Sequence, residues 1–279
     1  MLSIGGIPIE APLALGPMAG VTDMAFRTIC REQGAALTCT EMVSAKALCY
    51  QDKKSIPLLQ LGDGEHPAAA QIFGSDPVCM EEAAAIARQV SGADFIDINM
   101  GCPVPKVANS GDGSGLMRTP DKAVRVAEAV IRGAGCPVTV KFRLGWDKGS
   151  INCVEFARAM EEAGVAAVAV HGRTRAQMYA GRADWDHIRA VKEASSSVVQ
   201  AARTKRLCGD ALDIYAGNDD LTLPLLSIGG AGVISVAANV VPKAVRRITD
   251  CFFAGDADGA AKAQLALLDL AGALFCEVN

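Results

Sequence analysis

The sequence has no C-x-x-C pair among its ten cysteines, and only three histidines, none in H-E-x-x-H spacing. Those absences exclude a zinc ribbon or a zincin-type centre, so no metal site is expected. Scattered thiols of this kind suit a reduced, cytoplasmic protein better than a disulfide framework. Positive charge is not in excess either. Lys and Arg number 27 against 31 Asp and Glu, a net charge of −4. Bulk charge therefore cannot hold a polyanion, and any nucleic-acid contact must be a local basic stripe. The start, Met1-Leu2-Ser3-Ile4-Gly5-Gly6, lacks a basic segment followed by an apolar core, and no export signal is expected. The stretch from Leu221 to Pro242 carries no charge and is long enough to cross a bilayer. However, Pro224, Gly229-Gly230, Gly232 and Asn239 divide it into a short helix and a β-branched strand.

What is present suits a soluble barrel. The 279 residues are 51% hydrophobic and 21% charged, with 28 Gly, enough to bury a full core. Apolar runs alternate with amphipathic stretches. Strands are expected at Pro12–Leu15, Ala36–Glu41, Ala68–Phe73, Phe95–Asn99, Val138–Phe142 and Val165–Val170. Helices are expected from a cap at Thr22 or Asp23 to Gln33, from Asp76-Pro77 to Val90, from Thr119-Pro120 to a stop at Gly133, and from Asn152 to Gly164. Trp185 to Cys208 reads as helix, broken by Ser195-Ser196-Ser197. Leu212–Tyr215 and Gly232–Val236 bring the strand count to eight, and helical pattern continues to the end. The expected fold is α/β, a (β/α)8 TIM barrel with extra C-terminal helices, whose site lies at the C-terminal ends of its strands.

Those strand ends are unusually polar. Strand one ends in Gly16-Pro17-Met18-Ala19-Gly20, and strand two in Glu41-Met42. Strand three carries Gln71, strand four ends Asn99-Met100-Gly101-Cys102-Pro103, strand five holds Lys141 and Arg143, and strand six ends His171-Gly172-Arg173-Thr174-Arg175. Singly, each has a plain reading. Cys102 could be a small buried hydrophobe, Gln71 a partner for backbone, Lys141 an ion-pair partner of Glu41 or Asp97, and His171 a structural hydrogen bond. Together at one mouth they suit an anionic cofactor and a proton donor. Gly111-Asp112-Gly113-Ser114-Gly115 does not follow a strand and open a helix, so it is not read as a dinucleotide loop.

Five segments carry a resemblance: Gly16 to Asp23 with Phe26-Arg27, Gln71 to Pro77, Asp97 to Pro103, Val140 to Arg143, and His171 to Arg175. In that order they resemble the tRNA-dihydrouridine synthases, from near Met1 to about Ala194. The resemblance implies FMN, with NADPH as electron donor and a uridine of tRNA as substrate. Cys102 is then the proton donor to C5. Pro17, Met18 and Ala19 line the flavin through their backbone, and Gln71, Lys141 and His171 contact its ring or tail. Asn99 contacts uracil or flavin, and Arg143 and Arg173 face the substrate.

After Val191-Lys192-Glu193-Ala194 the pattern departs. The family's Asn-Gly-Asp after strand seven and Gly-Arg at strand eight, which hold the FMN phosphate, do not occur there, and its tRNA-gripping helical domain is missing. Residues 196–279 carry seven Lys and Arg against nine Asp and Glu. From about 191 onward the sequence resembles dihydrodipicolinate synthases instead, through Val191 to Ser195, Arg206 to Asp210, Ile214 to Asp220 and Gly232 to Pro242. Two segments follow: 1–194, a dihydrouridine-synthase-like FMN portion, and 195–279, a dihydrodipicolinate-synthase-like completion. Lys192 falls on the second family's Schiff-base lysine, yet is expected on a helix away from the mouth. A phosphate site is expected from Gly217-Asn218-Asp219 with the backbone of 235–239. The alternatives to uridine reduction are a Schiff-base lyase and an inactive hybrid barrel.

Overall fold

The computed structural model describes residues 2–11, 13–195, 202, 205–206, 215–216, 219–235 and 237–274. They fall into two compact units, Met1–Ser195 and Ser196–Asn279.

The first unit opens with a hairpin, β1 (Leu2–Ile4) against β2 (Ile7–Ile9), turned by Gly5 and Gly6 at φ 53° and 84°. Two residues of positive φ are what a primed hairpin turn demands. A parallel sheet follows: β3 (Thr38–Cys39), β4 (Val43–Ser44), β5 (Ala68–Phe73), β6 (Phe95–Met100), β7 (Val138–Arg143) and β8 (Ala167–His171). Its order is β3-β5-β6-β7-β8, with β4 also on β5. The expected first strand is reduced to one parallel bridge, Ala14 to Leu37; Pro12 lies outside the described residues. The expected second strand is split into β3 and β4. Cys39 pairs with Ala69 and Val43 with Ile72, so four steps on one strand match three on the other. That extra residue is a bulge, and it re-aims the segment Thr40-Glu41-Met42.

Helices lie between the strands where their caps predict. Asp23 caps α1 (Met24–Glu32) by accepting from the Phe26 amide at 2.8 Å. α2 (Ala45–Cys49) continues directly from β4. Asp76 caps α3 (Pro77–Ser91), accepting from Val78 and Cys79 amides. A short α4 (Pro105–Ala108) precedes α5 (Pro120–Ala134), with α6 (Cys153–Glu162) and α7 (Trp185–Ser195) completing the unit. The buried faces of α3 and α5 are largely alanine: Ala83, Ala84 and Ala87 against Ala123, Val126, Ala127 and Val130.

One expected helix stop is corrected. Gly133 does not end α5; the helix runs to Ala134 and Gly135, at φ +60°, terminates it. Gly133 is needed for a different reason: a Cβ there would sit 2.1 Å from the Glu81 carbonyl oxygen of α3. Gly133→Ala is therefore expected to destabilise by about 1–3 kcal/mol through overpacking, despite alanine's better helix propensity. A urea titration showing equal or greater stability would remove that packing role.

The second unit pairs β9 (Tyr215–Ala216) parallel with β10 (Gly232–Val233). Around them are helices Thr222–Ser227, Pro242–Phe253 and Ala257–Leu274, packed through Leu226, Val245, Ile248 and Leu267. The uncharged 221–242 stretch is thus a short helix, a strand and a turn. No helix of the described residues is long and apolar enough to cross a membrane. The α/β class, the parallel strand–helix repeat and the extra C-terminal helices are as the sequence predicts. The expected continuation of α7 to Cys208, and strand residues 212–214 and 236, lie outside the described residues or nearly so.

Candidate active site

Register brings the polar strand ends together. Gln71 of β5 lies beside Asp97 of β6, Asn99 beside Lys141 of β7, and Arg143 beside His171 of β8. Side chains alternate along a strand, so Asp97 and Asn99 share one face of β6, as do Thr139, Lys141 and Arg143 of β7.

A chain of hydrogen bonds runs from the buried carboxylate of Asp97 to the Cys102 turn. The Thr139 hydroxyl donates to one oxygen of Asp97, and Gln71 Nε2 donates to the other at 2.6 Å. Gln71 Oε1 accepts from Asn99 Nδ2 at 2.8 Å. Asn99 Oδ1 in turn accepts from the amides of Gly101 at 3.1 Å and Cys102 at 2.8 Å. The Cys102 carbonyl accepts from the Ser114 amide and hydroxyl at 3.1 and 2.7 Å. Arg143 Nε donates to the Gly101 carbonyl at 2.7 Å. The turn is thus held through its backbone on three sides. Gly113, at φ +53°, lies beneath it; a Cβ there would be 3.1 Å from that of Cys102. The glycine run at 111–115 therefore supports the cysteine rather than a dinucleotide, a role its sequence alone did not signal.

The charge in the mouth is cationic. Burial and then the neighbouring Arg143, Lys141 and Arg173 push the His171 imidazole down to about 4. It is neutral at pH 7, and its Nε2 accepts from Arg173 Nη1 at 3.2 Å. Burial pulls the Lys141 ammonium below its ordinary range, against the attraction of Asp97. Burial likewise raises Asp97, opposed by its bonds to Thr139 and Gln71 and by Lys141. Among the described residues Lys141 forms no ion pair with Glu41 or Asp97. The Glu41 carboxylate, turned by the bulge, instead accepts from the Gly20 amide and ties down the Pro17-Met18-Ala19 loop. Thr22 Oγ1 holds the same loop from its other end, accepting from the Met18 amide at 3.0 Å. Met18 itself is 48% exposed.

The arginines divide by burial. Arg143 is only 2% exposed, and beyond Gly101 it donates to the carbonyls of Thr174 at 3.1 Å and Met178 at 2.7 Å. It binds the loop after β8 to the Cys102 turn. Arg173 donates to the Gly181 carbonyl, and its Nε is buried with no partner. Sequence reasoning missed Trp146. The Arg118 and Arg175 guanidinium carbons stand 4.2 and 4.4 Å from its ring centroid. A Gly-Trp pair after a strand gave no sign of that stack.

In the second unit only part of the expected phosphate site is described. Gly217 and Asn218 lie outside the described residues. The Asp219 carboxylate, 3% exposed, accepts from the Ser235 hydroxyl and from the Ala237 amide at 2.9 Å. A carboxylate of the chain thus takes the Ala237 amide, one of the backbone donors an anion would use there. Lys192 stands on α7 with its side chain exposed, as expected for a helix lysine.

Residues 13–202 match the family described as dihydrouridine synthase (Dus), and residues 180–279 match the dihydrodipicolinate synthetase family. A probable tRNA-dihydrouridine synthase of Rhizobium leguminosarum bv. phaseoli is 46% identical over 202 residues, 72% of this chain and 63% of the relative. The tRNA-dihydrouridine synthase B of Pasteurella multocida is 37% identical over 249 residues, 87% and 73% of the two chains. This chain spans about three fifths of the length of the first curated relatives. Among solved structures, dihydrodipicolinate synthase DapA-2 of Bacillus anthracis superposes with a TM-score of 0.38 at 16% identity, over 100% of this chain and 86% of that one.

Proposed function

The chain belongs to the dihydrouridine synthase family through residues 13–202, and from that premise we propose that it reduces a uridine of tRNA to dihydrouridine with FMN, using NADPH as electron donor and Cys102 as the acid. The observation that carries this reading is the Cys102 turn, held by Asn99, Ser114 and Arg143 at the end of β6 beside Lys141. In this reading residues 1–194 are the flavin portion and 195–279 the completion of the barrel.

The first unit's residues fit a flavin ring. Among the described residues Lys141 is half-buried without a carboxylate at ion-pair distance and Arg173 Nε is buried with no partner, so an electron-rich ring and its tail would meet uncompensated donors. At the expected phosphate end the Ala237 amide is already taken by the Asp219 carboxylate. Bound flavin supplies the hydride that reaches C6 of uracil. The chain's own residues do the rest. The Cys102 thiol gives its proton to C5, and water restores it. Lys141 and neutral His171 line the electron-rich side. Asn99 spends both ends of its amide on Gln71 and the Cys102 turn, and so acts as a positioning residue. The uridine must leave its stack to enter.

The visible spectrum of the purified full chain, with released flavin identified by chromatography, tests the reading. Bound FMN that NADPH bleaches, and dihydrouridine formed in tRNA, are expected. Folded protein that stays colourless in excess FMN would overturn it. Lys141→Ala is expected to retain the fold but lower flavin occupancy or slow its reduction at least tenfold; unchanged values would dismiss Lys141 from the ring contact.

A net-negative chain must grip tRNA locally. Arg118 and Arg175, held against Trp146 and in no ion pair among the described residues, are the candidate stripe. Arg118→Ala and Arg175→Ala should each shallow the slope of log K against log salt for tRNA by about 0.7–0.9. A slope unchanged by both would place the grip elsewhere. The Schiff-base alternative, to which the match of residues 180–279 points, is disfavoured by the placement of Lys192 as an exposed helix residue.

A further inference from the structure

Outside the mouth, two thiols touch. Cys49, the last residue of α2, and Cys79, in the first turn of α3, have their sulfurs 3.1 Å apart, with Cys49 Sγ also 3.4 Å from the Cys79 carbonyl oxygen. A covalent bond would need an approach of only about 1 Å, to roughly 2.05 Å. The other described cysteines, Cys30, Cys39, Cys102, Cys136, Cys153 and Cys251, show no such contact. We propose that Cys49 and Cys79 form a reversible disulfide by exchange with a low-molecular-weight disulfide, clamping α2 to α3. The proposal does not rest on the activity argued above.

Both thiols are half-buried. Cys79 lines a small cleft with Ser44, Lys46, Gly74 and Asp76. Burial, and then the Cys79 thiol itself, push the Cys49 thiol up to about 12, and Cys79, on the cleft, is the first to react. Its sulfur attacks the small disulfide, forming a mixed disulfide and releasing one small thiol, which keeps the proton. Cys49 then attacks the Cys79 sulfur and displaces the second small thiol. Two protein thiols are oxidised by two electrons, one disulfide is reduced, and both protons leave on the two released thiols. The bond closes a loop of about 30 residues containing β5, which restricts the unfolded chain.

The full-length protein, incubated with glutathione disulfide, quenched in acid, alkylated and mapped by mass spectrometry, gives the test. A peptide pair linked through Cys49 and Cys79, lost on reduction with dithiothreitol, is expected, together with a Tm rise of about 5–10 °C. Cys49→Ser should stop at glutathione on Cys79, whereas Cys79→Ser should leave Cys49 unmodified. Cys49 and Cys79 found separately alkylated, or a mixed disulfide on Cys79 of the wild type that never closes, would overturn the proposal. The wild-type map decides even if a variant fails to fold.

Discussion

Cys102→Ala is expected to lower uridine reduction by about 10²–10⁴-fold while flavin content and thermal stability stay at the wild-type level. The separation follows from how the turn is held. Asn99 and Ser114 bond the amide and carbonyl of Cys102, and Arg143 bonds the carbonyl of Gly101. None of those bonds uses the thiol, so alanine leaves the turn in place and removes only the acid. Hydride arrival at C6 would then leave enolate-like charge on uracil with no positioned donor. Single turnover of NADPH-reduced enzyme with unmodified tRNA is the direct measurement. Dihydrouridine formed at the wild-type rate in Cys102→Ala would end the assignment of Cys102 as the acid. Asn99→Ala separates position from chemistry. It keeps the thiol but frees the turn, so kcat should fall by less than in Cys102→Ala, and the conservative Asn99→Asp should recover part of it by accepting the same two amides.

Much of this site could be read from residue order, and the reason is local. Asp76-Pro77 and Asp23 make their caps within a few residues, and strands β5 to β8 end where apolar alternation ends, so Gln71, Asn99, Lys141 and His171 were located by counting strand ends. What the sequence hid depends on partners far along the chain. Gly133 looks like a stop because glycine often is one, but its requirement comes from the Glu81 backbone of another helix. The bulge between β3 and β4 arises from a register mismatch with β5, invisible until both strands are paired. Asp219 beside Gly217-Asn218 looks like part of an anion loop, whereas its own carboxylate consumes the amide of Ala237. The resemblance implies ligand contacts for Asn99 and Arg143. Asn99 Oδ1 and Arg143 Nε also hold the cysteine turn, which only the assembled geometry reveals.

Loss of Arg27 is expected to destabilise the first unit by about 3–5 kcal/mol, a Tm fall of roughly 6–20 °C. Arg27 and Glu65 are 1% and 2% exposed, with Nε and Oε1 2.6 Å apart. The guanidinium also donates to the carbonyls of Thr22 at 2.8 Å and Gln60 at 2.6 Å. Glu65 accepts in addition from the Thr38 hydroxyl and the Gly62 amide, both at 2.8 Å. Arg27→Ala leaves that carboxylate buried with two neutral donors and no counter-charge, which is the costly case; pairing of two apolar residues is far milder. The double variant Arg27→Met with Glu65→Leu should therefore be more stable than Arg27→Ala alone, and a thermal denaturation series reads the difference. Equal Tm values for wild type and Arg27→Ala would show that the pair is dispensable. The effect should also reach the mouth. Thr22, whose carbonyl Arg27 holds, grips the Met18 amide with its hydroxyl, and Met18 belongs to the loop proposed to line the flavin. Arg27→Ala is thus expected to weaken FMN retention even at a temperature where the chain stays folded, whereas Gly133→Ala, acting at the α3–α5 contact, should lower stability without that loss.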